Sequence, residues 1–182
     1  MRFYAAGLLI AVLAGRLFLA APGAWADSGP LTESQAKASF VFNVARYVTW
    51  PKSAFSSEGI LEIGILGNSA SGSAWDGLKG KSVQGRKLVV RKSRDLDDLR
   101  SCQVIYIESS ERRNLSRILR TLHHEPILTV SEMDEFIRSE GGMVNLKIVN
   151  NRLTLAVNLG SVRASGLDIS SYLLKLAVEV LQ

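Results

Sequence analysis

Between Ile60 and Ser131 the chain alternates short apolar runs with amphipathic stretches, and that alternation restricts the fold more than any other feature. "ILEIGILG" (60–67) reads as a strand ending in glycine, followed by the polar loop "NSASGS" and a short helix in "SAWDGLKGK". "GRKLVVRKS" (85–93) gives a second strand and "DLDDLRS" one or two helical turns. "CQVIYIES" (102–109) is a third strand with a nearly continuous apolar centre. In "SERRNLSRILRTLHH" the apolar residues Leu115, Ile118, Leu119 and Leu122 fall at i, i+3, i+4 and i+7, the spacing of a helix with one buried stripe. Ser110 is placed to cap that helix and Pro126 to stop it before a fourth strand, "ILTVS" (127–131).

The pattern changes after Ser131. Ser131 reads as the N-cap of a short helix, with Asp134 three positions on and Met133, Phe136 and Ile137 as its apolar face. Gly141-Gly142 breaks it. "MVNLKIVNNRLTLAVNL" (143–159) then alternates apolar and polar residues on both sides of Asn150-Asn151, as a hairpin with one buried face does. "DISSYLLKLAVEVL" carries Ile169, Leu173, Leu176, Ala177 and Val180 at helical spacing. Together these segments predict a single α/β domain: a mixed, mostly parallel sheet with helices on both faces and a C-terminal antiparallel hairpin.

The first residues point to export. "MRFYAAGLLIAVLAGRLFLAAPGAWAD" opens with Arg2, runs apolar from Phe3 to Gly15, and ends in Ala24-Trp25-Ala26, small residues where a signal peptidase reads them. An N-terminal membrane anchor is the competing reading, but the run is short and Arg16 interrupts it. Cleavage after Ala26 divides the chain into a signal peptide, 1–26, and a mature domain, 27–182, in the periplasm. A domain of that length buries roughly 70% of the surface its unfolded chain exposes. Of the 22 basic and 17 acidic residues, the leader removes Arg2 and Arg16 and no acid, leaving 20 against 17. Basic residues never run longer than two and are interleaved with acids, so no nucleic-acid partner is expected.

Catalytic chemistry leaves no mark on the sequence. The histidines, His123 and His124, are adjacent, so on a helix they point to different sides and make a poor metal pair. No G-x-S-x-G, Walker loop or Cys–His arrangement occurs, and neither a catalytic residue, a cofactor nor a metal site is assigned. A hydrolase would need a site holding His124 with an acid. Cys102 is alone, which excludes an internal disulfide; it reads as a small hydrophobe at the start of a buried strand, with an intermolecular disulfide as the alternative. The loop after the first strand, with Asn68, Ser69 and Ser71, is the candidate small-ligand site, because open α/β sheets bind ligands at the carboxyl ends of their strands.

"ASFVFNVARYVTWP" (38–51) reads as a helix that is apolar almost all the way round. Its polar remainder is one stripe, Ser39, Asn43, Arg46 and Trp50, at i, i+4, i+7 and i+11. Two uses fit such a stripe: satisfying buried backbone groups near Pro51, or facing a partner, since Arg and Trp are enriched at interface hot spots. Asn43, Arg46 and Trp50 are the candidate partner-binding residues.

The segments "AKASFVFNVARYVTWP", "LKGKSVQGRKLVVRK", "LRSCQVIYIESSE", "PILTVSEMDEFIRSEGGMVNLKIVNNRLTLAVNL" and "ASGLDISSYLLKLAVEV", taken in order, resemble the YfiR/HmsC-like family of periplasmic proteins. The resemblance runs from about Ser34 to Val180. It implies a compact α/β domain, a dimer, and a non-enzymatic role. That role is repression of an inner-membrane diguanylate cyclase through its periplasmic sensor domain, relieved when an outer-membrane lipoprotein of the OmpA kind sequesters the repressor. Lower cyclic di-GMP and less biofilm would follow. Some relatives carry two disulfides; here only the cysteine of "LRSCQV" is present, which puts redox control in doubt.

Overall fold

The computed structural model describes residues 32–68, 73–138, 141–150 and 152–182. The expected signal peptide and its cleavage site lie outside these residues. Helix α1 (Glu33–Ala45) is started by a capping box: Thr32 Oγ1 accepts from the Gln35 N–H at 3.2 Å, and Gln35 Oε1 accepts from the Thr32 N–H at 2.9 Å. It ends earlier than the expected 38–51. The chain turns at Arg46, and Val48–Thr49 forms strand β1 instead. β1 pairs antiparallel with β9 (Asp168–Ile169), so a small second sheet claims the backbone that helical periodicity had assigned to the last turn. The Trp50-Pro51 pair then disfavours a return to helix.

The main sheet has eight strands in the order β10-β8-β7-β6-β5-β2-β4-β3. These are β2 (Ile60–Leu66), β3 (Ser82–Val83), β4 (Arg86–Ser93), β5 (Val104–Ile107), β6 (Leu128–Ser131), β7 (Val144–Val149), β8 (Arg152–Asn158) and β10 (Glu179–Leu181). The centre, β4-β2-β5-β6-β7, is parallel throughout. The hairpin β7–β8 is antiparallel, as its alternation requires, and turns at Asn150, whose φ is +50°. β3 adds an antiparallel edge on the far side, and β10 lies parallel to β8.

Alternation along the central strands feeds two cores. Leu61, Ile63, Ile65, Val104 and Tyr106 face one side with α1, Trp75 and Leu78; Ile105 and Ile107 face the other with α2 (Leu115–Leu122) and Phe136. Helices thus cover both faces. On α1 the buried residues are Ala38, Val41, Val44 and Ala45, one stripe against the sheet. Val41 and Val44, fully buried, each contribute about 1.5–3 kcal/mol. The remaining apolar residues of α1 are half-buried: Phe42 lies under the Lys81 ammonium, 5.0 Å from the ring centroid, and Phe40 and Tyr47 flank a groove described below.

Three other expectations change. Ser110 does not cap α2; residues Ser109–Asn114 form a 3-10 turn ahead of it, and Ser110 Oγ accepts from the Asn68 N–H at 3.0 Å. Ser131 belongs to β6, where its hydroxyl donates to the Ile107 carbonyl at 2.8 Å and accepts from the Met133 N–H at 3.3 Å; turns follow in place of a helix. The C-terminal segment is not one helix. β9, α4 (Ser171–Leu176) and β10 divide it, because the Val178 N–H donates to the Leu155 carbonyl and extends the sheet. A helix α3 (Leu159–Ala164), capped by Asn158 Oδ1 accepting from the Ser161 N–H, follows β8.

Candidate functional site

The parallel strands follow one another in the spatial order 2-1-3-4-5, so the chain reverses its direction of travel between β2 and β5. The crossover from β2 to β4 packs Trp75 and Leu78 on the α1 side; the crossover from β4 to β5 and helix α2 pack on the opposite side. Such a switch point leaves a crevice at the carboxyl ends of the two strands. A cavity of about 280 Å³ lies there. Asn68 reaches it from the end of β2, Glu108, Ser109 and Ser110 from the end of β5, and Glu132 from the end of β6. Ser34 and Lys37 of α1 close it from above, with Trp75 and Tyr106 as the floor.

Gly67 lets these elements meet. Its φ is +145°, and a Cβ there would lie 2.6 Å from Glu108 Oε2 and 2.7 Å from Ser110 Oγ. Lys37 bridges Glu33, at 2.6 Å, and Glu132. Desolvation pulls the Lys37 pKa down, but hydrogen bonds and charge from Glu132 and Glu33 outweigh it and hold the ammonium above its ordinary value. Lys37 in turn lowers the pKa of Glu33. Burial raises the Tyr106 pKa, and Glu132, Glu108 and Glu33 raise it further, so the phenol keeps its proton. Trp75 and Tyr106 pack with ring centroids 5.1 Å apart.

On the same face, α1, β8 and α4 enclose an apolar groove of about 500 Å³ lined by Phe40, Val44, Tyr47, Leu153, Leu173 and Leu176, with Asn43 at its edge. Tyr47 and Tyr172 meet across it, ring centroids 5.3 Å apart. Tyr172, Leu176 and Val178 beside it are 55%, 54% and 53% exposed. Large apolar side chains this open and this close together mark interaction surfaces more often than single exposed residues do.

The candidate stripe divides. Asn43 and Arg46 are exposed on the outer side, Asn43 on the groove, while Trp50 is buried and donates its indole N–H to the Gln103 carbonyl at 3.1 Å. Asn68 lines the cavity; Ser69 and Ser71 lie outside the described residues. Cys102 is free and buried, and burial pushes its thiol up to about 12. His124, with φ +68°, places Nδ1 2.9 Å from the Ala164 carbonyl, a contact between elements. Among the described residues no cluster of His, Cys, Asp or Glu could hold a metal ion, and no helix is long and apolar enough to cross a membrane. Sequence reasoning missed Lys37, Trp75, Tyr106, Glu108 and Glu132. The usable signal for two of them was position: Glu108 and Glu132 directly follow the third and fourth strands, where a switch point collects side chains.

The sequence profile of the YfiR/HmsC-like family matches residues 34–178. Among solved structures, a conserved domain protein from Vibrio cholerae O1 biovar El Tor superposes with a TM-score of 0.55 at 12% identity, covering 84% of this chain. The ABC domain from Streptococcus pneumoniae, solved in complex with L-Trp, superposes with a TM-score of 0.53 at 11% identity over 81% of this chain. This chain spans about three-fifths of each, 61% and 62% of their lengths. At these identities the likeness is one of fold.

Proposed function

The chain belongs to the YfiR/HmsC-like family, and on that premise we propose that it is a periplasmic regulator that binds the periplasmic sensor domain of an inner-membrane diguanylate cyclase and holds it inactive. The family match over residues 34–178 carries this reading. In it, residues 1–26 direct export and are removed after Ala26, no catalytic step is required, and an OmpA-like lipoprotein of the outer membrane competes for the regulator. The apolar groove beside α4 supports a protein partner and is our choice of docking surface, with Asn43 on its α1 flank and Arg46 exposed at the end of that helix. Trp50 acts from within, by fixing the end of β1 to Gln103.

Tyr172→Asp and Leu176→Asp place charge on the exposed rim of the groove. Each should leave the protein folded and exported while cyclase binding in a membrane pull-down falls at least tenfold. Undiminished binding by both variants would remove the groove from the account.

A second reading, a periplasmic receptor for a small ligand, is favoured by the cavity at the carboxyl ends of β2, β5 and β6, where Asn68 lies. It is compatible with the first, as the input that sets repression. A ligand that binds only the folded state raises the melting temperature, so thermal shifts across a chemically mixed panel test it.

A further inference from the structure

The floor of the switch-point cavity is made of two aromatic residues that are almost wholly covered, Trp75 at 2% and Tyr106 at 4% exposure. So little of either ring is open that a ligand has almost no aromatic surface to stack on. Their polar atoms are the Trp75 indole N–H and the Tyr106 hydroxyl, and both residues line the cavity. Around them stand Lys37, Asn68, Ser109, Glu108 and Glu132.

These groups narrow the ligand by what each can exchange. Trp75 only donates and the carboxylates only accept, whereas Asn68 and Ser109 do both. An anion finds no free counter-charge, since Lys37 is already held by Glu33 and Glu132, and it meets repulsion from Glu108. A cation fares little better: the charge of Glu132 is already offset by Lys37, and Glu108 already has a partner, although the remaining lone pairs of both carboxylates can still accept hydrogen bonds. An apolar molecule would strip water from every one of these groups and return no hydrogen bond. Hydroxyl groups both donate and accept, and so answer both kinds of wall.

Resting on the small-ligand reading above, we propose that this cavity binds a neutral polyhydroxylated molecule about the size of one sugar ring. Its hydroxyls accept from Trp75 and Lys37, exchange with Tyr106, Asn68 and Ser109, and donate to Glu108 and Glu132. The cavity, about 280 Å³, sits near the lower end of small-molecule sites, which suits one ring and not a chain. The burial, and beside it the negative charge of Glu132, Glu108 and Glu33, that keep the Tyr106 phenol protonated also keep it a donor.

The test titrates the exported protein, purified from periplasm, with glucose, ribose, N-acetylglucosamine and inositol, and separately with phosphate, choline and glycine. The indole N–H resonance of Trp75, identified by its loss in Trp75→Phe, is the readout. At least one neutral polyol should shift it saturably. Tyr106→Phe keeps the ring, and Glu108→Gln alters only the rim; each should weaken that binding about tenfold, the effect of one hydrogen bond, with the melting temperature unchanged. Saturable binding by phosphate, choline or glycine with no response to the polyols would overturn the ligand class while leaving a receptor in place. Silence across all seven compounds would overturn both. A polyol shift that both variants retain at full affinity would place the ligand elsewhere and sink this assignment.

Discussion

Gln103 is buried and engages its neighbours through both side-chain and backbone groups. Its Oε1 accepts from the Glu62 N–H at 2.8 Å, its Nε2 donates to the Ala54 and Ser101 carbonyls at 2.6 and 3.0 Å, and its own carbonyl accepts from Trp50 and Leu128. Trp50 is therefore part of a buried network, and substitution separates it from the exposed Arg46. Trp50→Ala should cost about 3–5 kcal/mol, seen as a lower urea midpoint. Arg46→Ala should stay within about 0.5 kcal/mol of wild type, so that any loss of cyclase control in it reports on binding. No local signal divides these two, because the stripe assumed a helix through Trp50 and the pairing of β1 with β9 is non-local. Cys102 was legible, since an isolated cysteine beside a strand core is ordinarily a small hydrophobe. With its thiol pushed up to about 12, only about one molecule in 10⁴ carries a thiolate at pH 8, so thiol reagents should label it slowly until the protein unfolds. The raised pKa also favours the folded state below pH 9, and that contribution is lost as pH rises toward 12. Alkaline melting curves should accordingly fall less steeply for Cys102→Ala than for wild type over that window.

At the scale of elements, the strands with continuous apolar centres and the hairpin were readable because their periodicity is local and strong. What failed to read were the short pieces: the 3-10 turn before α2, the turns after Ser131, and the division of the C-terminal segment into β9, α4 and β10. Each is decided by a partner distant in sequence, such as Leu155 for Val178 or Val48 for Ile169. Propensity within a window carries no record of such partners. The cavity was half legible for the same reason: Asn68 follows a strand, while Trp75 and Lys37 arrive from a crossover and from α1. One glycine here has a role that the sequence disguised as a helix stop. A Cβ on Gly142 would overlap the ring of Phe136, which is fully buried in the core that α2 covers. Gly142→Ala should therefore cost about 1–3 kcal/mol by overpacking, measurable as a fall in thermal midpoint. An unchanged midpoint would mean that the Phe136 ring moves aside at no cost.

For the whole molecule, the two concave regions lie on one face of one sheet, and α1 contributes to both: Lys37 to the cavity, Phe40 and Asn43 to the groove. A ligand seated under the first turns of α1 would thus touch the helix whose later turns form the groove. Coupling of that kind would change the proposed repression only as far as the ligand prefers one state of the complex over the other. The proposed repression would obey the same arithmetic, because a regulator moves its target's equilibrium by its difference in affinity for the resting and active states. The most direct measurement is intracellular cyclic di-GMP in a strain lacking this protein, with the candidate cyclase expressed and the full chain or residues 27–182 alone supplied in trans. The account predicts a rise on deletion, restoration by the full chain, and no restoration by the chain without its leader, which stays in the cytoplasm. Cyclic di-GMP that stays level on deletion while the cyclase is present would contradict it.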